Sequence, residues 1–207
     1  MKDKILIVDD ETSILLALER NLRNYYSVVK ALNGLQGLKA LKEKGPFAVI
    51  VSDYRMPQMN GIEFLTEAAD FSPDTSRILL TGYADLEIAM AAINKNSIFH
   101  FLTKPCSSQD LIKVIDAAVR HYQLLVSERD LLQNTLTGSI KLLLDLLAAL
   151  QPDIFNRAGS ISRMAKKIGE RIDMKETWEI EMAAHLSQIG TVTIPRYFSS
   201  RRFWIGD

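Results

Sequence analysis

Cysteine is almost missing from this sequence: Cys106 is the only one in 207 residues. One thiol cannot build an intrachain disulfide framework, and the count fits a reducing compartment. Excess charge of either sign is missing too. Twenty-five Lys and Arg balance twenty-five Asp and Glu, which argues against a general nucleic-acid binder with a basic face for phosphate contacts, although zero net charge is compatible with a local basic patch. No uninterrupted apolar stretch approaches the roughly 18 residues of a membrane-spanning helix. The greasy run at 142–150 is broken by Asp145. Met1-Lys2-Asp3-Lys4 runs directly into a short apolar segment, so a secretory leader is not expected. These absences describe a cytoplasmic protein with no membrane insertion and no general affinity for nucleic acid.

What is present alternates. Short β-branched apolar runs occur at Ile5-Leu6-Ile7-Val8, Tyr26-Ser27-Val28-Val29, Ala48-Val49-Ile50-Val51, Arg77-Ile78-Leu79-Leu80 and Ile98-Phe99-His100-Phe101-Leu102. Most are continuously apolar, as parallel strands covered on both faces require. Helical stretches lie between them near 12–24, 34–44, 61–70 and 85–95, and another starts near Ser108. Asp85 is placed to cap the fourth of these, and Ser107 with Asp110 resembles a capping box for the fifth. Five β-α repeats imply an α/β fold, a flavodoxin-like doubly wound parallel sheet of order 2-1-3-4-5. In such sheets ligands bind outside the carboxyl ends of the strands, at the switch point.

Beyond Pro105 there is no proline until Pro152 and no glycine until Gly138, so one long helix or two nearly continuous ones are predicted. Steps of four and three from Ile115 reach Val119, Tyr122, Val126, Arg129, Gln133, Leu136, Ile140, Leu143, Leu147 and Leu150. Nine of these eleven positions are apolar or aromatic, a heptad-like seam with Arg129 and Gln133 as polar interruptions that fix register. Two readings stand: the helix packs on its own domain, or residues 121–136 form a linker through which the chain is a homodimer. The organisation expected is a domain at 1–120, this helical linker at 121–136, and an all-helical segment at 137–207.

Several polar residues fall at strand ends: Asp9 and Asp10 after the first, Asp53 after the third, Thr81 after the fourth, Lys104 after the fifth. Each has an ordinary explanation, such as helix capping for the aspartates or a solvated charge for the lysine. Together they read differently. Three carboxylates in one crevice call for a hard cation with oxygen ligands, Mg²⁺ rather than zinc. A lysine and a hydroxyl beside them suit an incoming phosphoryl group. The set reads as a metal-assisted phosphoryl-transfer site with a carboxylate nucleophile.

These residues resemble the response-regulator receiver family of two-component phosphorelays. The resemblance rests on Asp9-Asp10, on Asp53-Tyr54-Arg55-Met56-Pro57-Gln58-Met59-Asn60-Gly61, on Thr81-Gly82 and on Lys104-Pro105, and spans about 120 residues. It implies that Asp53 accepts phosphate from a sensor histidine kinase. It also implies that Mg²⁺ is held by Asp9, Asp10, Asp53 and the Arg55 main-chain carbonyl, Asp9 acting mainly through metal-bound water. Lys104 would pair with the carboxylate and then with a phosphoryl oxygen. Thr81 would swing toward that group while Phe101 moves inward as the switch aromatic; Phe101 lacks the hydroxyl that tyrosine would bring. Arg55 and Tyr83 would tune dephosphorylation, and the Lys104-Pro105 bond would be cis.

The segment from Ala183 to Pro195 looks like the core motif of HD-GYP phosphodiesterases, with departures. Ser187 and Gln188 stand where the metal-binding His-Asp pair belongs, Thr191 replaces a lysine, and Ser160 lies near another histidine position. Serine and glutamine do not replace imidazole and carboxylate in a two-metal site. His185 is two positions off the motif. The implied reading is a regulatory phosphoacceptor and not an enzyme, switching an assembly or partner-binding surface. The alternative is a receiver-gated cyclic dinucleotide phosphodiesterase of which this chain is a fragment. A DNA-binding factor is disfavoured because no basic helix-turn-helix follows residue 137. An aspartyl phosphatase is disfavoured because its Asp-x-Asp is absent from the first strand.

Overall fold

A computed structural model of the chain describes residues 2–82, 98–150 and 152–172, with Met174, Ile180, Ala183, Ala184 and Ser187. The helix expected at 85–95, its cap Asp85, and Tyr83 lie outside the described residues, as do His185, Gln188, Thr191 and the segment after it. The chain divides into two compact units, Met1–Arg129 and Asp130–Asp207.

The first unit contains β1 (Lys4–Val8), α1 (Thr12–Leu22), β2 (Ser27–Ala31), α2 (Gly34–Lys44), β3 (Val49–Asp53), α3 (Gly61–Phe71), β4 (Ser76–Thr81) and β5 (His100–Thr103). It also holds the first half of α4 (Ser108–Leu150). All strand pairs are parallel and the order is β2-β1-β3-β4-β5, as the alternation of patterns predicts. Ile5 stands opposite Val28 on one side and Val49 on the other, and Asp53 stands opposite Leu80.

Because side chains alternate along a strand, the sheet has two separate cores. On one face Ile5, Ile7, Val49, Val51, Ile78 and Leu80 meet Leu15, Leu18 and Leu22 of α1 and Leu111, Ile115, Ala118 and Val119 of α4. On the other, Leu6, Val8, Ile50 and Leu79 meet Ala40 and Leu41 of α2 and Phe64, Leu65 and Ala68 of α3. β2 begins at Ser27 rather than Tyr26, because Tyr26 packs on the first core and its hydroxyl donates to Asp116 on α4.

Helix ends are fixed by local polar contacts. The Asn33 side chain accepts from Gln36 N at the start of α2. Asn60 and Glu63 form a full capping box for α3. The Ser107 hydroxyl accepts from Asp110 N at 3.1 Å and donates to the Asp110 carboxylate at 2.7 Å, which starts α4.

α4 is one uninterrupted helix of 43 residues. The heptad-like seam does not behave as a single surface. Ile115 and Val119 are buried in their own domain, Tyr122 packs against them, and Arg129 pairs with Asp74 at 2.6 Å. That part of the seam follows the reading in which the helix packs on its own domain. In the second unit α4 leads to α5 (Pro152–Arg171), with proline at the first helical position. Ile161, Met164, Ile168 and Ile172 are exposed there, which leaves these apolar side chains at the surface. Among the described residues no helix is long and apolar enough to cross a membrane.

Two glycines give opposite expectations. A Cβ on Gly61 would lie 2.1 Å from the Asp53 carbonyl oxygen, while one on Gly138 meets nothing within 4 Å. Urea unfolding should show Gly61→Ala destabilised by about 1–3 kcal/mol or more. The same measurement should show Gly138→Ala gaining about 0.5–1 kcal/mol, as expected inside a helix. Tyr26 gives a pH dependence. Burial, and then the bond to Asp116, raise its pKa well above the ordinary tyrosine value. A folded pKa above the unfolded one gives stability that is complete below about pH 10 and lost as pH rises further. Urea midpoints of wild type and Tyr26→Phe should therefore differ at pH 8 and converge above pH 10.

Candidate phosphoryl-transfer site

The loops after β1, β3, β4 and β5 meet at one end of the sheet. β1 delivers Asp9, which is 1% exposed. The Asp9 carboxylate accepts from Glu11 N at 2.9 Å and from Lys104 Nζ at 2.9 Å. Asp9 therefore steadies the turn before α1, while the helix cap position is Glu11, whose side chain makes no capping bond. Asp10 is exposed and lines an open depression with Tyr54, Arg55, Met56, Pro57 and Asn60.

β3 delivers Asp53, 8% exposed. One of its carboxylate oxygens lies 2.5 Å from Lys104 Nζ, and the other accepts from Arg55 N at 3.0 Å. The following loop is tightly cross-tied. Tyr54 N donates to Leu80 O, and Gly61 N donates back to Tyr54 O, each at 2.9 Å. Gln58 takes a left-handed φ of 71°, uncommon for a residue with a side chain. Thr81 ends β4 fully buried, and its hydroxyl donates to Gly82 O at 3.3 Å. Lys104 N donates to Thr81 O at 2.8 Å, which ties the lysine to the threonine's strand. The Lys104-Pro105 bond is cis. Phe101 is half-buried against the core that includes Leu6, Leu79 and Phe64.

Asp9, Asp53 and Lys104 are thus in direct contact, Thr81 is joined to Lys104 through the backbone, and Asp10 and Arg55 face the adjoining depression. Two buried carboxylates share one ammonium, so negative charge is in surplus. Burial raises the pKa of Asp53, aided by Asp9, and the pull from Lys104 only partly offsets this. Burial works against the Lys104 ammonium, but its bonds to Asp53 and Asp9 prevail and its pKa is raised. Both shifts express the same imbalance.

A small divalent cation is the natural complement. Among the described residues no three acidic, histidine or cysteine side chains form a ready metal cage. Mg²⁺ does not need one, because it keeps several waters and accepts one or two carboxylates. The oxygen-only donors of Asp9, Asp10, Asp53 and the Arg55 carbonyl fit that preference. The Asn60–Glu63 capping box, which sets the start of α3 beside the loop that follows Asp53, is the element sequence reasoning missed. Its signal was an asparagine followed three residues later by glutamate. In the second unit, the hydroxyl of Ser187 donates to Ala184 O at 2.8 Å.

Residues 5–116, more than half of the chain, match the family described as response regulator receiver domain. The chain is 36% identical over 122 residues to the hydrogenase transcriptional regulatory protein HoxA of Cupriavidus necator, covering 58% of this chain and 25% of that protein. It is 32% identical over 160 residues to the DNA-binding transcriptional regulator NtrC of Escherichia coli K12, covering 77% of this chain and 33% of that one. The matched part is thus a quarter to a third of these relatives' length. A crystal structure titled adenylate cyclase from Rhodopirellula baltica aligns with a TM-score of 0.62 at 39% identity, over 64% of this chain and 98% of that one. The signal receiver domain of an HD domain-containing protein from Pseudomonas fluorescens Pf-5 aligns with a TM-score of 0.56 at 32% identity. That alignment covers 59% of this chain and 98% of the other. The family match ends at residue 116, and the HD-GYP resemblance of 137–207 gains no support from these relatives.

Removing the shared ammonium tests the electrostatic account. In Lys104→Met, two buried carboxylates lose their common partner. Urea unfolding in EDTA should show a loss of about 1–3 kcal/mol, the cost of leaving buried polar groups unpaired. An unchanged midpoint would mean the cluster carries no such strain.

Proposed function

Because the chain belongs to the response regulator receiver domain family, we propose that it is a phosphorylation-controlled regulator whose acceptor is Asp53. The observation that carries this reading is the Asp9–Lys104–Asp53 cluster, with Lys104 2.5 Å from the Asp53 carboxylate. The donor is a sensor histidine kinase. A carboxylate oxygen of Asp53 attacks phosphorus, the P–N bond breaks, and its electron pair returns to the histidine. The product is an acyl phosphate on Asp53.

Mg²⁺ held by Asp9, Asp10, Asp53 and the Arg55 carbonyl would supply positive charge against the phosphoryl oxygens. Lys104 gives up part of its pairing with Asp53 to hold a phosphoryl oxygen. Thr81 turns its hydroxyl toward the same group, and Phe101 moves inward. The site regulates by shifting a population between two surfaces and turns over no metabolite. The setting is the cytoplasm, in keeping with one free cysteine.

The exposed Leu131, Leu132 and Leu136 of α4 support a homodimer through this helix. Domains at 1–120, 121–136 and 137–207 would then be receiver, linker and output. The last would be a degenerate HD-GYP-like module in which Ser187 and Gln188 preclude metal hydrolysis. Those two residues also weigh against a cyclic dinucleotide phosphodiesterase. Relatives named as transcriptional regulators favour a second reading, in which this receiver governs DNA binding by another part of a longer protein. The zero net charge argues against general nucleic-acid binding by these 207 residues and says nothing of a local basic patch.

Incubation with acetyl phosphate and Mg²⁺ should add one phosphoryl group by intact mass, abolished by EDTA and by Asp53→Asn. Labelling that persists in Asp53→Asn would place the acceptor elsewhere. Light scattering with and without beryllofluoride tests the output: a mass change lost in Asp53→Asn supports gated assembly, and a constant monomer sinks the dimer.

A further inference from the structure

α4 is held to the receiver in two different ways along its length. From Leu111 to Val119 it is clamped by apolar side chains, with Leu111, Ile115 and Ala118 no more than 1% exposed. At the end of this stretch the Ser76 hydroxyl, from the start of β4, donates to Ala118 O at 2.9 Å and lies 3.1 Å from His121 Nδ1. Beyond Tyr122 the character changes. No residue from Gln123 to Arg129 is fully buried; Leu125 and Val126 are half-buried. The Gln123 amide donates to the Asp3 carboxylate at 3.1 Å, and Arg129 pairs with Asp74 at 2.6 Å. Both partners of that ion pair are partly exposed, at 46% and 27%. Such pairs in contact with water hold weakly.

The other end of α4 is tied to the acceptor. Lys104, bonded to Asp53, is four residues before Ser108, and Ser107 caps the helix. Ser108 is further tied to Asn21 of α1 at 2.9 Å. A helix is stiff, and Ser108 to Arg129 spans about 30 Å at 1.5 Å per residue. A small tilt at its start is therefore magnified at Arg129, where the weakest contacts are.

We propose that residues 123–129 are a release latch: Arg129–Asp74 and Gln123–Asp3 hold the far end of the helix, and a phosphoryl group on Asp53 opens it by moving Lys104 and with it the start of α4. The apolar clamp at 111–119 acts as the pivot, and the turn at 72–76 is the catch. That turn is itself firmly built. The Arg77 guanidinium donates to Ser72 O and Pro73 O, and the buried Thr75 hydroxyl donates to Phe47 O at 2.7 Å. The catch is thus rigid and the latch is weak, which makes Arg129 the part that moves. This inference rests on the acceptor role proposed for Asp53.

The test is amide hydrogen exchange of the whole chain with Mg²⁺, with and without beryllofluoride, read on a peptide covering 123–136. Wild type, Asp53→Asn, Asp74→Asn and Arg129→Gln are compared, and acetyl phosphate labelling is read on the same samples. Beryllofluoride should speed exchange in this peptide about fivefold in wild type and not in Asp53→Asn. Asp74→Asn and Arg129→Gln should start fast and respond little. Normal labelling with exchange unchanged or slowed by beryllofluoride overturns the latch and leaves the acceptor reading standing. Pair variants that exchange as slowly as wild type also overturn it. Absence of labelling in wild type overturns the acceptor reading and the latch together.

Discussion

Everything at the working end of this protein turns on one ammonium shared by two buried carboxylates. Lys104 bridges Asp9 and Asp53, which come from strands β1 and β3, while the lysine follows β5. A contact that joins the ends of three strands holds only if the sheet keeps its order and register. The sheet in turn tolerates two buried acids only because the lysine reaches both. The remaining negative charge is uncompensated within the cluster, and its oxygen donors suit a hard cation.

Around that contact the backbone is kept from relaxing. Gly61 sits so close to the Asp53 carbonyl that no side chain fits between them, and its amide closes onto Tyr54 O. Gln58 accepts a left-handed backbone in the same loop. Asn60 and Glu63 then lock the start of α3. The loop from Asp53 to Gly61 is thus a short, cross-tied span between a buried strand and a capped helix. Lys104 N bonds to Thr81 O, so the lysine and the threonine share one backbone link.

Much of this was legible in the sequence, and for physical reasons. Continuous apolar runs such as Ile5-Leu6-Ile7-Val8 announce strands covered on both faces, and five of them with helices between allow few topologies. Aspartates and a lysine at the ends of those strands announce a shared crevice. What the sequence could not show is which lone pair each group uses. Asp9 reads as a helix cap, yet its oxygens go to Glu11 N and Lys104. Arg129 reads as a polar break in a coiled-coil seam, yet it pairs with Asp74 across a turn far away in sequence. Periodicity reports that one side of a helix is apolar and is silent about what covers it. That is why the seam from Ile115 to Leu150 looked uniform although its first part is already occupied.

The division of the sheet into two cores has a consequence for how such a protein changes over generations. Ile50 and Val51 are chain neighbours, but one packs against α2 and α3 and the other against α1 and α4. A substitution on one face meets a different set of partners from a substitution next to it on the other. Asp53 follows Val51, and Asp9 follows Ile7, by two residues, so both acids share the parity of the side holding α4, and a substitution on the opposite face leaves that side's partners untouched. A single sheet, by keeping its two faces from touching, confines the packing cost of each substitution to one of two cores.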